Sequence, residues 1–407
     1  MHILFVTHYY EPDSGAAANR ITRLSKLLHE RGHQITVLAP MPHYPQGVKP
    51  AGYRRRWTVI ENRDGVRVIH IWLWTTTNPA ILRRMISQLS FMLTCSLRGL
   101  FVQQPDVMFI ENQPIFTGLA GWFISKVKRV GYVLNVSDYW PEYLVVAGVV
   151  SESSLIYRTF KALTNLTQRQ ASVIVAMVDA LMAKIEDRIG PVERKYVIHN
   201  AVDLDRLKPA NDDRAFRAKF SLGDERLVTF LGGLGPHIDL ETMLEAARPF
   251  AGEANLTFLF VGTGAQKDAL VSRLSEPEYA HCRWIEWIGA DDLPGFWAAS
   301  YLTYWALHHN ELDRMRFQAK LYEAMATGTP AIIAVDGLMS DFLAQTQTGI
   351  TGMPGDAQAL TDAIRQLLDD TDGYTAMAQR GRAYAEAHFD QNKQADAYET
   401  ALNDARR

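Results

Sequence analysis

Lys320 and Glu323 stand three residues apart in the run Arg316-Phe317-Gln318-Ala319-Lys320-Leu321-Tyr322-Glu323-Ala324-Met325-Ala326-Thr327-Gly328-Thr329-Pro330. The run reads as a short helix opened by a loop and closed at Gly328, a residue type that accepts the left-handed cap. Pro330 then leads into the apolar strand 331–334. A helix N-terminus carries unpaired N–H groups and a partial positive charge, so it can hold a phosphate. Lys320 lies in that first turn, and Glu323 follows one turn later on the same face. One face therefore offers a phosphate cradle, a cation and an acceptor able to bind a ribose diol. An ordinary αβ unit whose Lys and Glu face water has the same pattern.

Other segments carry chemistry of the same kind. Gly232-Gly233-Leu234-Gly235-Pro236-His237 follows an apolar strand and precedes a helix beginning near Asp239. Gly233 and Gly235 there can form a phosphate-facing loop with His237 as a donor, or simply a tight turn. Gly262-Thr263-Gly264 also follows a strand, but Lys267 stands where a dinucleotide fingerprint needs its third glycine, so it reads as a strand-to-helix turn. The loop Tyr9–Ala17 joins the first strand to a helix; its small residues, Gly15 above all, permit close approach of a ligand, and Arg20 is one turn in. Asp138, in Asn135-Val136-Ser137-Asp138-Tyr139-Trp140-Pro141-Glu142, ends a buried strand at the edge where parallel sheets bind ligands. It is a candidate base or acceptor contact, with helix capping as the alternative. His308-His309-Asn310-Glu311-Leu312-Asp313 fits no zinc or EF-hand spacing, and no metal is expected there.

The elements that must position these residues are those of two successive αβ series. Strands 2–7 and 35–39 bracket a helix with Ile21, Leu24, Leu27 and Leu28 on one face. Apolar runs at 66–72, 107–110, 132–136, 173–176 and 196–199 continue that series, and runs at 227–231, 256–261, 283–288, 302–306 and 331–334 form the second. Such alternation implies doubly wound parallel sheets. The boundary falls in the polar stretch 200–224. Residues 79–101 differ: Ile81, Leu82, Met85, Ile86, Leu89, Met92, Leu93, Leu97 and Leu100 recur at helical spacing among Arg83, Arg84 and Arg98. This is the pattern of an interfacial helix on an anionic membrane, or of a helix packed on its own domain with its arginines reaching out to water.

Composition bounds the function. The chain of 407 residues is 47% hydrophobic and 21% charged, the balance of a globular protein with room for two or three domains. Residues 1–198 hold 23 Lys and Arg against 14 Asp and Glu, net +9; the remainder holds 19 against 31, net −12. A basic half points to an anionic partner, yet no basic run exceeds Arg54-Arg55-Arg56 and no RNA-binding signature is present, so nucleic acid is not expected. Two cysteines, no signal-peptide pattern and no apolar run near the roughly 20 residues of a spanning helix make the cytoplasm the expected compartment.

Together these pieces resemble the GT-B glycosyltransferases of family 4, in a bacterial polysaccharide and lipopolysaccharide subgroup that includes fucosamine-type and colanic-acid-type transferases. The resemblance runs nearly end to end. It includes His8-Tyr9-Tyr10-Glu11-Pro12 with Gly15, then Arg31–Val37, Pro42–Gly47, Ser137–Glu142, Asn200–Asp203, Val261–Gly264 and Lys320–Pro330. It implies two Rossmann-like domains with parallel sheets facing across a cleft. The acceptor domain would span 1–200, with a terminal helix of about 386–407 packing back on it, and the donor domain 201–385. It implies a retaining, metal-independent transferase, with no cofactor, that moves a hexosyl or N-acetylhexosaminyl group. The donor would be a nucleotide diphosphate sugar and the acceptor a saccharide or polyprenyl-linked saccharide, at the inner face of the cell membrane. Glu323 would take the ribose, Lys320 and the amides of Phe317, Gln318 and Ala319 the diphosphate, and Gly15 the phosphate or acceptor. Two departures stand out. Met315 occupies the place of the first Glu in the family's E-x7-E pattern, for which Glu311 or Asp313 are nearby substitutes, and no Arg and Lys follow the glycine turn at 232–239. They motivate a non-catalytic GT-B scaffold as one alternative; a GT-B sugar-nucleotide epimerase is another.

Overall fold

The apolar run His2–Val6 (β1) is an inner strand of an eight-stranded sheet, buried along its whole length. Strands β2 (Gln34–Pro40), β3 (Thr58–Arg63), β4 (Val66–Ile71), β5 (Val107–Glu111), β6 (Tyr132–Val136), β7 (Val173–Ala176) and β8 (Lys195–Val197) complete it. Their order is β3-β4-β2-β1-β5-β6-β7-β8, parallel except for β3 against β4. The strand order reverses between β1 and β5, so the loop after β1 opens at the switch point where doubly wound sheets bind ligands. In this computed structural model every residue is described except Ser14, Pro45, Pro79, Ala147, Asn211, Met315, Arg316 and Arg407, and the side chain of Leu312.

A second sheet repeats the plan with β9 (Arg226–Leu231), β10 (Leu256–Val261), β11 (Cys282–Ile285), β12 (Ser300–Ala306), β13 (Ala331–Ala334) and β14 (Gly349–Gly352). The order β11-β10-β9-β12-β13-β14 is parallel throughout and reverses between β9 and β12. The chain thus forms two units, Met1–Asn200 with Asn392–Arg407, and Ala201–Gln391. Each has its own core.

Strands β3 and β14 lie outside the elements expected from sequence. β3 carries Glu61, Asn62 and Arg63 at a sheet edge, so it lacks the apolar run that marks a buried parallel strand. Its signal is the turn: Asp64 (φ 50°) and Gly65 (φ 84°) form the two-residue left-handed loop that closes hairpins. The terminal helix is Gln391–Arg406 and does not begin near 386, because the preceding helix continues to His388. Its Tyr398, Ala401, Leu402 and Ala405 pack into the first core beside Phe5 and Phe109. Arg31 pairs with Asp396 at 2.5 Å and His33 with Glu399 at 3.0 Å, which fixes the helix's outer face.

Three helices of the first unit position its ligand edge: α1 (Ala16–Glu30), α2 (Ile81–Leu100) and α3 (Ile115–Lys128). The packed face of α2 is Ser87, Phe91, Cys95 and Gly99. Gly99 lies so close to α3 that a Cβ there would be 2.3 Å from Ile124. The leucine-rich face points the other way, with Leu82, Leu93 and Leu97 each at least 60% exposed and Ile86 and Leu89 at 40% or more. Among the described residues no helix is long and apolar enough to cross a membrane.

Candidate functional site

In the second unit, the loop after β9 is held from beneath by the loop after β10. Gly232 N–H donates to Val261 O at 2.8 Å, and Leu234 N–H to Thr263 O at 2.9 Å. The Gln266 amide donates to Gly235 O at 2.7 Å and Ile238 O at 2.8 Å. The two backbones approach so closely that a Cβ on Gly262 (φ +148°) would lie 1.7 Å from Gly232 O. The segment 262–264 is therefore more than a turn; it shapes the glycine loop above it. Gly233 is exposed, and the His237 ring lies against Gly235, where a Cβ would be 2.8 Å from Nδ1. His237 O accepts from His308 N–H at 3.1 Å, joining this loop to the one after β12 across the switch point.

The helix Ala319–Thr327 starts at the same edge. Gln318 precedes it in extended conformation (φ −80°, ψ 135°) with no capping bond from its side chain, and Gly328 (φ 69°) closes it. Phe317 anchors the entry by packing on Tyr322 and Phe342, with ring centroids 4.7 and 4.9 Å away. Lys320 is half-buried and sends its amine over the Phe230 ring, 4.8 Å from the centroid. The amine fills the space beside Gly232, where a Cβ would be 1.5 Å from Nζ. Among the described residues it forms no ion pair. Burial pulls its pKa down to about 8 against the charge of Glu323, which works to raise it. Glu323 accepts from Trp297 Nε1 at 3.1 Å, and Trp297 is only 1% exposed. Lys320, Glu323, Gly233, Gly235, His237 and the 317–319 backbone thus all lie on the carboxyl edge of one sheet. Phe230, Gln266 and Trp297 join them; no local spacing marks these three, which touch the site only through the folded chain.

The first unit gathers its candidates at the corresponding edge. Gly15 (φ +133°) precedes α1 and lies against the Tyr44 ring. Asp13, which the sequence did not single out, holds that neighbour in place by accepting from the His43 and Tyr44 N–H groups at 2.8 and 2.9 Å. Burial raises its carboxyl to about 6 against those two bonds. Asp138 is exposed and its carboxylate accepts from the Gln113 amide. Arg20 does not present a free cation to a phosphate. It is buried, pairs with Glu111 at 2.9 Å and donates to Ser137 at 2.7 Å. Burial works against its charge, and Glu111 together with Tyr398 and Asp138 more than offsets that. The network extends through Asn135, which donates to Glu111 at 2.8 Å, to Tyr398 at 2.8 Å. Arg20 therefore ties α1 to the ends of β5 and β6.

Met315 and Arg316 lie outside the described residues. Of the two nearby acids, Glu311 is exposed, whereas Asp313 is 3% exposed and accepts from Asn310 Nδ2 at 2.5 Å. His309 lies 3.2 Å from Asp336.

Residues 15–201 match a family model described as "Glycosyl transferase 4-like domain", and residues 212–384 match "Glycosyl transferases group 1". WcaI of Escherichia coli K12, whose name places it in colanic acid biosynthesis, is 22% identical over 90% of this chain and 92% of its own length. The GDP-mannose-dependent alpha-mannosyltransferase of Mycolicibacterium smegmatis is 24% identical over 93% of this chain and 92% of its own. Among solved structures, Anabaena HepE in complex with UDP and glucose superposes with a TM-score of 0.73 at 18% identity, covering 98% of this chain and 99% of that one. The two sheets are those of the GT-B architecture.

Proposed function

Since the chain belongs to the GT-B glycosyltransferases of family 4, we propose that it moves a sugar, with retention of anomeric configuration, from a nucleotide diphosphate sugar to a saccharide or polyprenyl-linked saccharide acceptor in bacterial surface polysaccharide synthesis. The observation that carries this reading is the Lys320 amine. It is charged at neutral pH, forms no ion pair among the described residues, and stands between a glycine loop and a helix N-terminus. A diphosphate placed there meets the ammonium and the amides at 317–319, and the ribose reaches Glu323 one turn later. These donors act most strongly on the charge that develops as the diphosphate leaves, so they stabilise the transition state more than the bound donor. The names of WcaI and of the mannosyltransferase, and the UDP and glucose bound to HepE, support donor and pathway class.

Asp138 is assigned to the acceptor hydroxyl, as base or orienting acceptor, with Gln113 fixing its carboxylate. Binding of UDP-, GDP- and TDP-sugars to the full chain, followed by release of nucleotide diphosphate with and without an acceptor, tests the reading. Conversion of donor without acceptor would show an epimerase, and failure to bind any nucleotide diphosphate a scaffold. Proton NMR of the new glycosidic bond reads retention, and an inverted anomer refutes it. Asp138→Asn is expected to slow transfer by about 10²-fold or more with donor affinity kept; full activity in this variant would leave Asp138 a purely structural role.

The outward apolar face of α2, flanked by exposed Arg83 and Arg84 and free of acidic residues, supports a peripheral position on an anionic membrane. The protein is expected to sediment with phosphatidylglycerol vesicles, and the double variant Leu93→Glu/Leu97→Glu to stay in the supernatant. A parent protein that ignores the vesicles refutes this position.

A further inference from the structure

A cavity of about 300 Å³ opens in the first unit between the first turns of α2, the start of α3 and residues Trp140, Tyr143, Leu144 and Val149. One wall is apolar: Met85, Ile115, Phe116, Trp140, Leu144 and Phe160 form one packed cluster. Polar side chains complete the lining. Arg84 is exposed and, among the described residues, its guanidinium pairs with no carboxylate. Gln88, Tyr9 and Tyr143 also line it, as does Gln113, the residue whose amide bonds Asp138. The cavity and the proposed acceptor carboxylate therefore share a wall.

The packed apolar wall is a poor match for a sugar ring. Hydroxyls pressed against Phe116, Leu144 and Phe160 would lose water and gain no partner, whereas a hydrocarbon gains by burial there. An exposed guanidinium beside an apolar wall matches an amphiphile with a phosphate head and a hydrocarbon tail. The outer stripe of α2 begins at Leu82, beside the rim, and continues for the length of a helix of 20 residues, about 30 Å. A chain too long for the cavity has an apolar track or a bilayer to follow.

We propose that this cavity is the lipid subsite for the acceptor: it takes the first isoprenoid segment of a polyisoprenyl phosphate- or diphosphate-linked saccharide, with Arg84 on the phosphate and the saccharide reaching Asp138. The proposal rests on the glycosyltransferase reading. It makes the acceptor saccharide short, because Gln113 touches both the lipid cavity and the reacting edge. The reaction that supplies the substrate is then of the class that places a first sugar phosphate on a polyisoprenyl phosphate.

The test is titration of the full chain with farnesyl phosphate below its micelle concentration, followed by tryptophan fluorescence and calorimetry. Saturable binding to one site is expected, weakened at least tenfold by Val149→Asp at the half-open mouth and by Arg84→Glu, both at exposed positions. Farnesol, which lacks the phosphate, is expected to bind at least tenfold more weakly. Affinity for a nucleoside diphosphate should not change in either variant, which also reports that they fold. Absence of farnesyl phosphate binding, indifference to both substitutions, or equal binding of dihexanoyl phosphatidylglycerol overturns the subsite. If nucleoside diphosphate binds while farnesyl phosphate does not, only the subsite fails; if the parent binds no nucleoside diphosphate, the glycosyltransferase reading fails instead.

Discussion

Lys320→Met is expected to lower the affinity for nucleoside diphosphates by about 10- to 100-fold, the range set by the roughly 1.5–3 kcal/mol of a hydrogen bond to a charged group. It is also expected to raise the melting temperature of the unliganded protein. Both follow from one amine. Nζ is packed over Phe230 and beside Gly232, and burial holds its pKa near 8, below the ordinary 10.5. The folded chain therefore binds fewer protons at this site than the unfolded chain between about pH 8 and 10.5, and stability rises with pH across that window. Below pH 8 the folded state carries the full penalty of a charge held away from water. Methionine keeps the apolar stem without the charge, removing a penalty on the order of 1–2 kcal/mol once partial exposure is allowed for.

Binding runs the opposite way. A diphosphate needs the ammonium, so above pH 8 the free protein must take up a proton as ligand binds, and affinity should fall by up to tenfold per pH unit. Calorimetry at pH 7 and 9 in buffers of different ionisation enthalpy reads that proton uptake directly. Lys320→Met should show neither the uptake nor the pH slope at this site. Equal affinity of variant and parent at pH 7 would remove Lys320 from the diphosphate site.

Glu323→Ala is expected to reduce nucleoside diphosphate affinity by about 100-fold while leaving inorganic diphosphate binding unchanged, because the carboxylate is placed for the ribose and Lys320 for the phosphates. A charge-assisted pair of bonds to a diol supports that magnitude. The same change removes the acceptor that faces the buried Trp297 indole N–H, so stability should fall by about 1 kcal/mol. Glu323→Gln separates the effects: it keeps a neutral acceptor for Trp297 and restores the melting temperature, yet recovers little affinity. Equal loss of both ligands in Glu323→Ala would place Glu323 at the phosphates and overturn the ribose assignment.

How much of this was legible before folding depends on the range of the interaction. Strands β1, β2, β5, β6 and β7 are buried on both faces, and such strands must be apolar runs, so they are readable. The helix holding Lys320 and Glu323 is equally local, since its cap at Gly328 and its spacing lie within one run. β3 escaped because an edge strand with polar residues has no such signature, although the Asp64-Gly65 turn announced the hairpin.

Long-range partners left no comparable trace. Arg20 sits where a phosphate-binding arginine would, and only the arrival of Glu111 at 2.9 Å turns it into a structural tie. The pattern of α2 announced an apolar face without saying which way it points; the small face of Ser87, Cys95 and Gly99 packs inward and leaves the leucines outside. Lys320 and Glu323 were thus identifiable as a cation and an acceptor on one helical face from residue types and the 3.6-residue period alone. The meeting of that lysine with Gly232 and Phe230, and of that glutamate with Trp297, arises only when β9 and β12 become neighbours at the reversal of strand order. Backbone periodicity is set within a few residues, whereas desolvation and pairing are set by whatever the sheet topology brings alongside.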